Sequence, residues 1–369
     1  MSAPSAAPSA ARSASRDPWF DNAKMTILVL VVVGHAWGQL PATAFTTRVE
    51  DALYAWHMPA MILISGYFSR SADWSAPRLW ALLRTIAVPY VLFEAAYAAF
   101  ALHVEGYAYP DPFWVPIWPL WYLCALLAWR LLTPVLLALP ARVALGGSVA
   151  VSLLGGLWDV EGLALSRVVG MLPFFVVGLL LTREHLEVLR RPAVRLAAPA
   201  VAVLVWQAAP VLERHGGIGW LYFRPYAVMD AGPLEGIVVR SAVLAVACAA
   251  TAVFLAWVPR RDGWFTACGT GTMSVFLLHG FVLRAADAAG FGDFAARHPV
   301  LGAVVVVVSG TGLALALAAP RVSRALDPVL DPFEPARRAT WDAVRLHLVE
   351  PDPPGPAVAE PVRTGPVTR

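Results

Sequence analysis

Two kinds of side chain stand out against an otherwise apolar chain: histidines inside hydrocarbon-like runs, and basic residues at the ends of those runs. His35 lies in ILVLVVVGHAW, eleven residues after Lys24. On a helix rising 1.5 Å per residue, that spacing sets the two roughly 16 Å apart along the axis. An ionisable group so deep in hydrocarbon is costly and is by default a functional residue. A neutral imidazole there accepts a proton from a hydroxyl at one ring nitrogen while a partner fixes the other, which is general-base chemistry. An acid or a backbone carbonyl is expected to orient it. The competing reading is a structural histidine bonded to a neighbouring helix.

The next run, YAWHMPAMILISGYFSR, holds His57 at what the reading takes as its outer edge, and the triplet Ser65-Gly66-Tyr67. Small residues of this kind also serve close helix packing. Arg84 follows in RLWALLRTIAVPY, where a guanidinium binds phosphate or carboxylate bidentately or snorkels to the surface. With Lys24, Arg70 and Arg78 it would form a cytosolic rim that attracts anions. Asp21 stands near the entrance, placed to position Lys24. Arg167, in LSRVVGMLPFFVVG, enters its run from the opposite side, and GTMSVFLLHGF puts Ser274 and His279 in one apolar segment, five positions apart. There is no P-loop, GxSxG elbow, dinucleotide fingerprint or HExxH motif.

The elements that position these groups are membrane helices. Hydrophobic residues make up 59% of the chain and charged residues only 14%, too few to coat a soluble globule of 369 residues. The apolar residues fall in blocks without period-2 alternation, which excludes a β-barrel and gives an all-α, polytopic helical bundle. The blocks read as about ten transmembrane helices, at 25–40, 52–69, 79–102, 117–139, 143–157, 163–181, 195–211, 237–258, 272–289 and 299–319. Arg-rich and Arg-poor connectors alternate, which places both termini in the cytosol and the protein in the cell membrane as a multi-pass chain. Residues 1–20, rich in Ala, Ser and Pro, are expected to be a disordered cytosolic tail. Residues 21–325 form the membrane domain, and 326–369 a Pro-rich cytosolic tail, with a short surface helix near 338–348. The net charge of +3 arises from arginines at helix ends and gives no reason to expect a nucleic-acid partner. Cys124, Cys248 and Cys268 show no metal-ligand spacing, so no metal is expected.

Taken in order, RDPWFDNAKMTILVLVVVGHAW, YAWHMPAMILISGYFSR, RTIAVPYVLF and GTMSVFLLHGF resemble the acyltransferase 3 family of membrane proteins, and within it the fucose-4-O-acetylase-like sugar acetyltransferases. The resemblance covers about residues 17–325. It implies an O-acyltransferase that takes acetyl from acetyl-CoA on the cytosolic side and delivers it to a hydroxyl of a carbohydrate, glycan or glycosylated lipid. The family's basic-x10-His motif falls on Lys24 and His35, its SG[FY] motif on Ser65, Gly66 and Tyr67, and its cytosolic-end arginine on Arg84. Lys24 stands where arginine is commoner, replacing a bidentate fork with a point charge. The expected roles are His35 as catalytic base, with Lys24, Arg84, Arg70 and Arg78 holding the donor's phosphates. Asp21, His57, Ser65, Tyr67, Arg167 and His279 would position substrate. A transporter or flippase for a sugar or lipid is the alternative, since it too carries polar groups near the midplane.

Overall fold

The computed structural model describes residues 17–159 and 162–330, together with Phe333. Most of the expected terminal tails, including 338–348, lie outside these residues. All regular elements among the described residues are helical. Helix α1 (Pro18–Trp37) starts ahead of the apolar run because the Asp17 carboxylate accepts the Trp19 N–H and Pro18 occupies the first turn. Helix α2 (Ala44–Tyr54) opens on a Thr43–Thr46 capping box. The block 52–69 is broken, and α3 (His57–Phe68) starts afresh after Trp56. Pro59 accounts for the break: it has no N–H to continue a helix from above, yet is tolerated in a first turn.

Helices α4 (Ala76–Leu82) and α5 (Val88–Phe100) join through a π-turn at Leu83–Ala87, and a second π-turn carries the rod to Glu105. The first precedes Pro89, whose missing N–H a wider turn accommodates, and it contains Arg84. There follow α6 (Trp121–Ala138), α7 (Ala141–Leu154), α8 (Leu165–Gly170) and α9 (Leu172–Leu180). The last two meet at 54°, at Pro173. Short α10 (Arg183–Leu189) and α11 (Pro192–Leu196) lead to α12 (Ala198–Arg214) and the long α13 (Pro233–Trp257). Helix α14 (Trp264–Cys268) precedes α15 (Thr272–Ala288), which meets α16 (Phe291–Arg297) at 64°, and α17 (Pro299–Ala318) and α18 (Pro320–Leu330) complete the described chain.

Among the described residues, five helical stretches are long and apolar enough to cross a membrane: 76–105, 118–138, 192–214, 233–257 and 299–318. The number rises to seven if each bent pair is one span. The remaining blocks of the sequence reading are shorter or interrupted, as at Trp56. Helix α1 sits inside the bundle against α3, α14, α15 and α17, with Met25, Ile27 and Val32 fully enclosed. The tightest crossing is α3 on α9. A Cβ on Gly66 would lie 2.2 Å from the Phe175 carbonyl oxygen, and one on Gly178 would lie 2.0 Å from that of Leu63. Gly66 therefore serves backbone contact, which fixes the rotation of α3 and aims His57 and Ser65 away from α9.

Helix α2 carries a buried acid outside the spanning stretches. Asp51 is 2% exposed and neither carboxylate oxygen has a hydrogen-bond partner. Burial, with Glu213 and Glu50 adding repulsion, pushes its carboxyl up to about 7. A folded-state value above the unfolded one means a stabilising contribution that is complete in acid and disappears as pH rises through 7. The melting temperature of the detergent-solubilised protein is therefore expected to fall between about pH 4 and 7, where the unfolded chain has lost the proton that folded Asp51 keeps, and to level off above that. In Asp51→Asn this fall should flatten, and an unchanged slope would contradict the assignment.

Candidate functional site

Helices α1 and α3 run antiparallel through the centre of the site. The Lys24 ammonium lies over the Phe68 ring at 5.8 Å, at one end of the pair. At the other end, Tyr54 bridges the imidazoles, with ring centroids 6.2 Å from His35 and 4.8 Å from His57. A cavity of about 400 Å³ joins these ends. It is lined by Lys24, Leu28, Val31 and His35 from α1, and by His57, Met58, Met61 and Ser65 from α3. Trp118, Trp121, Tyr122, Arg167 and Tyr222 close it. A second, more polar cavity of about 710 Å³ starts from His35 and continues along α1 past Gly38 and Gln39. His35, Tyr54, Trp118 and Tyr222 line both, so they form the partition between them.

The hydrogen bonds around His35 define its tautomer. His279 Nδ1 lies 2.8 Å from the Val275 carbonyl oxygen, which can only accept, so this nitrogen carries a proton. In the neutral ring, His279 Nε2 is then a bare acceptor. It lies 2.9 Å from His35 Nδ1, which must donate to it. His35 Nε2 is left with a free lone pair, held in place by a chain that ends on a backbone carbonyl. No carboxylate is needed to orient the ring. The two imidazoles lie nearly parallel, 14° apart, and the Trp118 ring packs against His35 at 4.6 Å. By the same logic His57 Nδ1 donates to the Leu53 carbonyl at 2.6 Å, and its Nε2 is free. His57 is 2% exposed and lines the first cavity, so its side chain faces the interior of the protein.

Two buried charges hold the loops that supply the partition. Glu94, 0% exposed on α5, accepts the backbone N–H of Ile117 at 3.0 Å and of Phe113 at 3.4 Å. Tyr90 donates to the Phe113 carbonyl from the same helix. Phe113 and Trp118 are held at φ 75° and 41°, a left-handed conformation that costs energy in residues with a Cβ. The glutamate is what the loop gains in return. On the far side Arg240, 1% exposed on α13, donates to the carbonyls of Ser152 and Arg224 and stacks over Phe223 and Tyr226, fixing the loop that carries Tyr222. Glu94→Ala would leave two loop N–H groups without an acceptor, at about 1–3 kcal/mol each. A lower melting temperature and faster protease cleavage within 106–117 are the expected results. An unchanged cleavage pattern would show that Glu94 does not hold the loop.

The other expected residues divide into groups. Lys24 and Asp21 pair at 2.8 Å, and Lys24 reaches the first cavity. Ser65 lines that cavity and hydrogen-bonds the Tyr122 hydroxyl. Arg167 lies in the cavity wall, its guanidinium 5.2 Å from the Trp121 ring and 4.8 Å from that of Tyr222. Arg70 instead donates from Nε to the Leu179 carbonyl at 2.9 Å, closing the C-terminal end of α9, and covers the Tyr67 ring. Tyr67 packs on Phe20 and Phe68, away from both cavities. Arg78 is exposed near the start of α4, and Arg84 is half-buried in the π-turn. The sequence reading passed over Glu94 and Arg240, whose signal was a charge inside an apolar block. It also passed over Tyr54, Trp118 and Tyr222, aromatic residues that carry no signal in such a chain.

A family model described as an acyltransferase domain matches residues 17–319, which contain every residue of both cavities. No curated protein and no solved structure matches the chain.

Proposed function

We propose, from the premise that the chain belongs to the acyltransferase 3 family and is a membrane acyltransferase, that it moves acetyl from acetyl-CoA to a hydroxyl of a carbohydrate, glycan or glycosylated lipid. The observation that carries this reading is His35 Nε2, a free imidazole lone pair fixed between two cavities of opposite character. The bundle would have ten spans in the cell membrane with both termini in the cytosol. Lys24 then opens on the cytosolic face, with Arg78 and Arg84 assigned to the same face by topology to meet the donor's phosphates. Arg70, already committed to the end of α9, adds charge more than a binding fork. The mostly apolar first cavity suits the pantetheine arm, with Arg167 available to its carbonyls. The second cavity receives the acceptor.

In this mechanism the acceptor hydroxyl gives its proton to His35 Nε2 as its oxygen attacks the thioester carbonyl. The tetrahedral intermediate collapses with cleavage of the C–S bond. The leaving thiolate takes the proton back from His35, giving the acetyl ester and free CoA. The positive charge held briefly by His35 is stabilised by the hydrogen bond from its Nδ1–H to His279, as an orienting acceptor stabilises the imidazolium in other His-centred sites.

The test is purified protein in nanodiscs with radiolabelled acetyl-CoA and a cell-envelope glycan extract. Label is expected in alkali-labile esters in step with CoA release. Passage of sugar or lipid across vesicles without acetyl-CoA consumption would support the transporter reading and overturn this one.

A further inference from the structure

We propose that the polar cavity beyond His35 selects acceptors by charge, admitting neutral or amine-bearing polyhydroxyl groups and turning away anionic ones such as uronates and sugar phosphates. This rests on the reading of that cavity as the acceptor's, and it adds which chemistry the acceptor has.

Four charged side chains line the cavity: Glu50, Glu105, Arg284 and Asp287. The one cation among them is fully engaged. Arg284 grips both carboxylate oxygens of Glu105 through Nε and Nη2, and donates to the hydroxyls of Tyr109 and Tyr107. An incoming anion would have to break that pair to reach it. Glu50 and Asp287 have no hydrogen-bond or cationic partner among the described residues. Two acidic side chains are thus left over with no cation beside them, and burial holds Glu50 above the usual carboxylate range. Glu50 stands beside the C-terminal end of α1, where a Cβ on Gly38 would lie 3.4 Å from its Oε1.

The remaining wall reinforces this sign. Tyr54, Trp118 and Tyr222 present aromatic rings, whose negative faces attract ammonium groups and polarised C–H bonds and repel anions. Hydroxyl arrays and ammonium groups supply the donors that Glu50 and Asp287 lack. The first cavity carries cations in its wall instead, Arg167 and Lys24, the latter paired with Asp21. Polyanionic donor and non-anionic acceptor would therefore be sorted to opposite sides of one imidazole.

A pair of small alkylating probes of similar size tests the charge filter without knowledge of the natural acceptor. Iodoacetamide is neutral and iodoacetate anionic, and each transfers its CH₂ group to imidazole nitrogen with loss of iodide. The full-length protein in nanodiscs, its donor cavity filled with desulfo-CoA, is treated with each, and modification of His35 is followed by peptide mass spectrometry. Relative to free N-acetylhistidine, the neutral reagent is expected to be favoured at least about tenfold. That preference should collapse in the Glu50→Gln/Asp287→Asn pair, with Glu50→Gln alone as the second variant should the pair not fold. Equal rates in the wild type, a preference for iodoacetate, no modification by either reagent, or a preference that survives both variants would each overturn the proposal. An indifferent ratio beside intact acetyl transfer sinks the charge filter alone. A clear ratio without acetyl transfer sinks the proposed function and leaves the cavity's selectivity standing.

Discussion

Replacing His35 with glutamine is expected to lower acetyl transfer by about a thousandfold, within the range that general bases supply, while the protein remains folded. Glutamine keeps much of the volume against Trp118. It has no basic nitrogen to put where His35 Nε2 stands. A loss in Gln therefore reports the missing base and not a collapsed cavity, which His35→Ala alone would not separate. Binding of desulfo-CoA should be little changed, because the proposed site of the donor's phosphates is the Lys24 end. Near wild-type turnover in a well-folded His35→Gln would refute the mechanism.

The second large effect is expected at His279, which in the proposed mechanism touches neither donor nor acceptor. His279→Leu leaves the His35 Nδ1–H without an acceptor in a buried site, and the ring loses the restraint that keeps its lone pair at Nε2. Wrong-tautomer variants of other His-based sites lose about 10⁴ in turnover, and a fall of about 10²–10⁴ is expected here. His279→Gln offers a carbonyl oxygen to the same N–H and should recover part of it. The signature is a drop in kcat with the KM for acetyl-CoA held. A rise in KM with unchanged kcat would make His279 a binding residue, as the sequence reading had it.

The sequence disclosed individual expensive residues better than it disclosed their partners. His35 was legible because an imidazole in ILVLVVVGHAW has few structural excuses, and the Asp21–Lys24 pair because three residues separate its members on a helix. The His35–His279 bond joins positions 244 apart, and nothing local to either records it. The inward orientation of His57 is not legible while the block 52–69 reads as one helix. The break at Trp56, forced by Pro59, instead starts a new helix there and turns the imidazole inward. Arg70 reads as one more basic residue at a helix end, and only the approach of α9 shows that its donors are spent on carbonyls. The shape of individual blocks is hidden for a related reason. Blocks such as 163–181 satisfy composition, while Pro173 divides them into two short helices at 54°. The aromatic partition between the cavities lies partly in loops, whose shape depends on Glu94 and Arg240.

The separations between partners also describe a schedule. Arg240 enters the bilayer after its acceptors at Ser152 and Arg224 have been synthesised, so its charge meets ready partners. Glu94 waits only for Ile117, 23 residues later. His35 waits for His279, by which time three quarters of the 369 residues have been translated. A ribosome that stalls before that point releases a chain with its loops anchored and its imidazole unoriented. Under the proposed mechanism, nascent and truncated products would lack the group that orients His35, and only finished copies would carry a poised base.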